Sequence, residues 1–316
     1  MISITNCKLI CIEKFGYTLS IFNGFIIFWI LLGAITFIYL FFVSAPYGRH
    51  IRKGWGRNIS ARAGWVVMES PCVLIMLIYA FIVKDDLESL HIIFLSLWLL
   101  HYVHRSFIYP FVIDMTNPKM PISIAVSAFF FNIVNVNLQA FGIYYLTDYS
   151  QDWMYSYIFF FGLFIFLIGM YINIKSDYLI VALRRDKGPG YHLPSKFMHK
   201  YISSPNYFGE IIEWLGWAIL TWSISGAVFA LWTIANLFPR ALAHHKWYKE
   251  KFDNYFNDDD SQKNNNFVDL DMDCLEGFSI FIDKKSAILN FEIYKNEEIF
   301  IEKVIKDLNQ KLEIIN

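Results

Sequence analysis

Seven apolar stretches recur along this chain, each close to the roughly 20 residues a helix needs to cross the hydrocarbon core of a bilayer. They run over about 20–43, 68–84, 88–107, 122–146, 154–176, 207–222 and 224–243. Nothing constrains the fold more. Lipid offers no partner to a backbone N–H or C=O, so such stretches must close their own hydrogen bonds, as helices do. With 56% of 316 residues hydrophobic and 19% aromatic, the chain has more apolar surface than a soluble domain of this length requires. The expected fold is an all-α integral membrane protein, a seven-transmembrane-helix bundle. The second, sixth and seventh stretches are short, and are expected to be tilted, kinked or incompletely spanning.

The loops alternate in charge. Arg49, Arg52, Lys53, Arg57 and Arg62 fill the first loop, whereas Asp85, Asp86 and Glu88 fill the second. Asp148 and Asp152 mark the fourth, and Arg184, Arg185, Lys187, Lys196 and Lys200 the fifth. Basic loops favour the cytosol, which places loops one, three and five and the C-terminus there and the N-terminus outside. The third loop contributes only Arg105 and Lys119 to this pattern. The membrane would be the endoplasmic reticulum in a eukaryote and the inner membrane in a bacterium. The run from Phe22 to Val43 is too long for a removable signal and lacks a clean small-residue cleavage site.

Composition changes after Phe256. Residues 257–316 hold 14 acids and 7 bases, against 14 and 20 in the preceding 256. We therefore divide the chain into a membrane domain, 1–256, and an acidic linker with a small C-terminal extension, 257–316. Asn257 to Asn266 reads as linker. Phe278–Ile282 and Ala287–Tyr294 alternate like hairpin strands, and Glu297 to Ile315 has helical spacing, so a ββα appendage is expected.

Ionisable and amide side chains stranded in apolar sequence are costly unless paired or wetted, and so mark a polar cavity. Asn173 and Asp177 are four residues apart, and Arg184 follows on nearly the same face if the helix continues that far. This suits a ligand with an amide or hydroxyl at one end and phosphates at the other; a snorkelling helix end is the alternative. Asn206, Glu210 and Glu213 form one stripe, serving a ligand or pairing with bundle arginines. Arg240, His244 and Tyr248 make a cationic, aromatic stripe suited to phosphates and an adenine, or to anionic lipid. Tyr102, Arg105 and Tyr109 share one face, as do Asn132, Asn135 and Gln139, whose amides are expected to bridge helices. Glu69 stands alone at the mouth of the second stretch. The Lys187–Tyr191 segment, with two glycines and a proline, reads as a turn.

Metal chemistry is not expected. Among eight histidines, the helical HxxxH and HxxHH clusters of membrane di-iron enzymes are absent. Cys7, Cys11, Cys72 and Cys274 are scattered without a CxxC and read as ordinary thiols.

Taken in order, NIxSDY from Asn173, the Leu183-Arg184 pair, NYFGEIIEWLGWA from Asn206, TWS and the Arg240-Ala241 to His244-His245-Lys246-Trp247-Tyr248 end resemble the steroid 5α-reductase family. Upstream, Tyr47-Gly48-Arg49-His50, Ala61-Arg62, Trp65 with Glu69, His101-Tyr102 with His104-Arg105, and Asn135 with Leu138-Gln139 extend the resemblance over roughly 45–252. The resemblance implies a seven-helix fold that takes NADPH from the cytosolic side and reduces the 4,5 double bond of a 3-oxo-Δ4 steroid. It implies that Glu69 and Tyr102 hold the substrate's 3-keto oxygen. It places Asn173, Asp177, Arg184, Tyr191, Asn206, Glu210, Arg240, His244 and Tyr248 around the dinucleotide, with Arg49 and Arg105 as further basic positions near it. A steroid or sterol-like lipid is the implied substrate, in contact with membrane lipid, without nucleic acid or metal, in a monomer.

Two departures stand out. The acidic extension replaces the family's short basic tail, and Asn137 and Ala140 stand where smaller residues or glycine are expected. Three other readings stay open. SPNYFG before an apolar helix also resembles isoprenylcysteine carboxyl methyltransferases, which use S-adenosylmethionine. A polyprenol or enoyl reductase is a second alternative, and a seven-span receptor or transporter a third.

Overall fold

The computed structural model describes residues 16–44, 46, 48–113, 119–150, 152–188, 190–252, 255, 267–269 and 281–283; for 16–21, 49 and the last two segments only the backbone is described. The described residues form two compact units, one from Met1–Pro194 and Ser204–Ala243, the other from Ser195–Ser203 and His244–Asn316.

The first unit is a helical bundle. Its helices are α1 (Gly16–Phe42), α2 (Ala61–Ile82), α3 (Ser89–Val103), the short α4 (Tyr109–Val112), α5 (Ile122–Phe141), α6 (Tyr157–Lys187), α7 (Pro205–Thr221) and the start of α8 (Ile224–Lys251). Six helical spans, which include α1, α2, α5, α6, α8 and the α3–α4 segment Ser89–Val112, are long and apolar enough to cross a membrane. The protein is thus a multi-pass membrane protein. Two departures from expectation concern helix ends. The second span begins at Ala61 rather than near 68, because Arg62 is accommodated by donating to the Pro110 carbonyl at 3.1 Å. The last span runs on to Lys251 through Pro239. Helix α7 has 17 residues, fewer than any of these six spans.

Between helices in lipid there is little hydrophobic driving force, so association rests on close packing and buried polar contacts. The α6–α7 pair shows this most clearly. The two helices run antiparallel with four glycines in the seam: a Cβ at Gly162 would lie 2.7 Å from the Leu220 Cα, and one at Gly216 would lie 2.6 Å from the Phe166 Cα. Only hydrogen at these positions lets the backbones approach so closely. Behind the seam lies an aromatic core in which Trp98, Trp214 and Trp217 are fully buried. The expected amide bridges form: Asn132 Nδ2 donates to the Met68 carbonyl at 2.7 Å and Gln139 Nε2 to the Ser225 carbonyl at 2.7 Å.

A feature that helical periodicity does not encode is a small antiparallel sheet in this unit. Strand β1 (Asn58–Ser60) in the first loop pairs with β2 (Lys119–Pro121) in the third, with Ile59 opposite Met120.

In the second unit the 3-10 turn Phe197–Lys200 precedes Ser203, whose Oγ lies 2.7 Å from His245 Nδ1 and 2.6 Å from the Tyr255 hydroxyl. Strand β3 (Phe267–Asp269) pairs antiparallel with β4 (Phe281–Asp283), Val268 opposite Ile282. Strand β4 overlaps the expected strand Phe278–Ile282 and pairs with a strand upstream of it. Ala287–Tyr294, the helix expected over Glu297 to Ile315 and the linker Asn257 to Asn266 lie outside the described residues.

Candidate active site

The glycine seam sets the register of the polar residues. Because Gly169 meets Glu213 and Gly209 meets Asn173, the next turn brings Asp177 beside Asn206. Asn206 Nδ2 donates to Asp177 Oδ1 at 2.9 Å, and Asn173 Nδ2 donates to Glu210 Oε2 at 3.2 Å. Two stripes separate in sequence thus become one ladder of amides and carboxylates. Asn173 and Asp177 are buried, and Ser176 between them is fully so.

Arg105 closes the ladder from a third helix. Its Nη1 donates to Asp177 Oδ2 at 3.0 Å and its Nη2 to Glu210 Oε2 at 3.4 Å. The guanidinium is sandwiched by rings, 4.7 Å from the Trp65 centroid and 5.1 Å from that of Tyr109. One fork against a buried and a half-buried carboxylate is an arrangement for which arginine, not lysine, is shaped. Arg105 sits in a π-helical turn, His104–Ile108, inserted between α3 and α4. Such inserted turns recur at functional sites because they re-aim side chains.

Glu69 and Tyr102 come together as expected, though not by bonding each other. Both line one cavity of about 110 Å³, together with Arg105 and Glu210, and Phe131, Phe229 and Trp232 form its apolar wall. Glu69 Oε2 accepts from Asn132 Nδ2 at 3.0 Å, and Tyr102 is buried in the same core cluster as Cys72. The Tyr102 ring is held by Trp98 at 4.6 Å and His101 at 4.8 Å between centroids.

The remaining candidates divide by position. Arg184 stays on α6, which continues to Lys187, and its guanidinium lies 6.0 Å from the ring of Tyr191; among the described residues it donates no hydrogen bond and forms no ion pair. Arg240 donates to Asn236 Oδ1 at 3.3 Å and to the Tyr207 hydroxyl at 3.4 Å. His244 and Tyr248 belong to the second unit, where Tyr248 stacks on Tyr255 with centroids 5.2 Å apart. Arg49 lies in the 3-10 turn Gly48–His50, and its side chain lies outside the described residues.

Three features escape sequence reading. Among the described residues Glu213 pairs with no arginine; its Oε1 lies 2.7 Å from His101 Nδ1, and the side chain is fully buried. Cys72, read as an ordinary thiol, is fully buried in the core cluster that holds Tyr102. The π-helical turn has no signature in residue spacing. A search for buried partners to Glu213 among histidines, not only arginines, would have found the first.

Residues 118–260 match the family described as 3-oxo-5-alpha-steroid 4-dehydrogenase. The steroid 5-alpha-reductase DET2 of Arabidopsis thaliana is 42% identical over 226 residues, 70% of this chain and 86% of the relative. The 3-oxo-5-alpha-steroid 4-dehydrogenase 1 of Bos taurus is 39% identical over 228 residues, 71% of this chain and 88% of the relative. The human protein of the same name is 39% identical over 214 residues, 67% and 82% respectively.

The chain belongs to the steroid 5α-reductase family.

It is accordingly an enzyme, an oxidoreductase of the membrane. The methyltransferase alternative is disfavoured, since these relatives are named as reductases and dehydrogenases.

Proposed function

We propose that the protein reduces the 4,5 double bond of a 3-oxo-Δ4 steroid with a hydride from NADPH, giving the 5α-reduced steroid. The observation that carries this reading is the shared cavity of Glu69, Tyr102, Arg105 and Glu210, taken with membership of the family. A steroid fits a chamber with one polar end and an aromatic wall. At about 110 Å³ the cavity is smaller than the roughly 300–1,000 Å³ of typical ligand pockets. A four-ring substrate would thus enter with displacement of Phe131, Phe229 or Trp232.

The chemistry needs a stabilised oxygen. As hydride reaches the β-carbon, charge develops on the 3-keto oxygen, and donors placed there lower the barrier. Tyr102 can donate its phenolic proton to that oxygen. Glu69, anchored by Asn132, donates to the same oxygen as the neutral acid.

The residues that would hold NADPH fit its parts. Asn173, Asn206, Asp177 and Glu210 offer amide and carboxylate partners for the nicotinamide end, while Arg184 and Arg240 suit the phosphates. Arg184 favours this most, because its fork is unspent among the described residues. His244, Tyr248, Tyr191 and Arg49 are cofactor candidates on the resemblance alone. The cofactor supplies the hydride; the chain supplies orientation and exclusion of water.

We further propose that α7 spans the membrane as a seventh helix packed along α6, with residues 1–256 as the reductase domain and 257–316 as a separate extension. Pairing of β1 with β2 joins loops one and three, which supports their lying on one side, the cytosolic side by charge. The N-terminus would face outward, the protein would act as a monomer, and its membrane would be the endoplasmic reticulum in a eukaryote.

Ligand binding tests this reading. NADPH should raise the thermal unfolding temperature of the purified protein, and S-adenosylmethionine should not. Stabilisation by S-adenosylmethionine alone would overturn it.

A further inference from the structure

The His101–Glu213 pair has no part in the mechanism above, yet it borders the same chamber. Glu213 is fully buried on α7, between Glu210 and the aromatic core. Its Oε1 lies 2.7 Å from His101 Nδ1, and its second oxygen is buried with no hydrogen-bond partner among the described residues. Glu213 therefore acts through the imidazole. His101 lines the cavity with Glu69 and Tyr102, and its ring sits edge-on to the Tyr102 ring, 4.8 Å between centroids. With Nδ1 committed to Glu213, the other ring nitrogen, Nε2, makes no hydrogen bond among the described residues. A carboxylate fixing one face of an imidazole, with the other face at a reaction chamber, is the arrangement by which a histidine is held ready to exchange a proton.

We infer that His101, as the doubly protonated imidazolium, is the proton donor that completes the reduction, and that Glu213 is the positioning residue whose carboxylate fixes its orientation and holds it in that protonated form. The inference rests on the proposed enone reduction. Hydride transfer oxidises the dihydronicotinamide and leaves an enolate on the substrate. The enolate electron pair then forms the α-carbon C–H bond with the Nε2 proton of the His101 imidazolium, leaving the neutral imidazole protonated on Nδ1. The N–H bond breaks, its electrons stay on the imidazole, and the ketone is restored. Water returns the proton to Nε2. The sum is one dihydronicotinamide, one enone and one proton consumed for each saturated ketone.

Several charged groups face His101: Glu213 and Glu210 from α7, Glu69 from α2, and Arg105 with His104 on its own segment. α8 contributes only uncharged side chains to the cavity, and α5 contributes Asn132. Glu213 is the one that contacts the ring through a hydrogen bond.

The test uses the full chain in lipid nanodiscs. Nitrogen-15 spectra of the histidines at rest should show Nδ1 of His101 protonated and hydrogen-bonded, a signal identified by its loss in His101→Gln and shifted in Glu213→Gln. Single-turnover NADPH oxidation with a 3-oxo-Δ4 steroid is then followed across pH. His101→Gln should lower the rate of the protonation-limited step roughly 100-fold, as general acids contribute about that much or more, with steroid KM within about threefold of wild type. Glu213→Gln should lower kcat about tenfold and shift the pH profile, and Glu213→Asp should restore part of the rate. Unchanged pH profiles in both variants would overturn the inference. So would an unshifted His101 signal in Glu213→Gln, or, if that variant does not fold, in Glu213→Asp. A wild-type protein that fails to oxidise NADPH with any such steroid while keeping the coupled nitrogen signal would instead refute the parent reading.

Discussion

Gly169 and Glu213 pack backbone against backbone: a Cβ at Gly169 would lie 2.6 Å from the Glu213 Cα. The neighbouring helix has no side chain there to move aside. Gly169→Ala should therefore cost about 1–3 kcal/mol of stability, as overpacking does in well-filled interiors, and should shift the Asn173–Glu210 and Asp177–Asn206 contacts out of register. Thermal unfolding in detergent measures the first effect. An unchanged midpoint would mean that the seam is looser than described.

The ladder itself depends on one arginine. Removing Arg105 leaves Asp177 and Glu210 partly or wholly buried with their counter-charge gone; breaking such a pair on one side costs about 3–5 kcal/mol. Arg105→Ala should be poorly stable. Arg105→Lys keeps the charge but cannot fork, so it should recover stability more than cofactor affinity. Denaturation midpoints set beside NADPH titrations separate the two effects, and equal recovery of both would contradict the role assigned to the fork.

Glu69 is predicted to act as a donor. Glu69→Gln keeps an N–H toward the substrate oxygen and can still meet Asn132, so its kcat should fall less than about tenfold. Glu69→Ala should lose about 100–1,000-fold, in line with removal of one oxyanion donor. Steady-state rates with a 3-oxo-Δ4 steroid decide between donor and structural roles; equal collapse in both variants argues for the structural one.

Arg184 is predicted to contact phosphate. A hydrogen bond to a charged group contributes about 1.5–3 kcal/mol, so Arg184→Ala should raise the NADPH KM roughly 10- to 100-fold while the steroid KM holds. A selective rise in steroid KM would move Arg184 to the other end of the site.

What the sequence discloses and what it hides follow from the range of the interactions. Asn173 with Asp177 and Asn206 with Glu210 are legible because helical spacing of three and four residues is local. That the two pairs interlock, with Asn206 reaching Asp177 rather than Asn173, depends on glycines 40 residues apart and is not local. Arg105 could be suspected from its place beside Tyr102, but the π-helical turn that aims it leaves no mark on periodicity. The partner of Glu213 is hidden for a simpler reason: arginine is the commoner expectation, and the structure supplies His101 instead. The β1–β2 pairing joins two loops separated by two membrane helices, and three-residue strands are too short to show alternation.

The central claim is that Glu69 and Tyr102 act on one steroid carbonyl within a chamber reached by NADPH. Its most direct measurement is NADPH oxidation by the purified wild-type protein with a 3-oxo-Δ4 steroid, with the product identified by mass and stereochemistry. The account predicts one NADPH consumed per 5α-reduced steroid formed, and loss of that turnover in Tyr102→Phe without loss of folding. Folded wild-type protein that leaves both NADPH and steroid unchanged, or a Tyr102→Phe variant with full turnover, would contradict it.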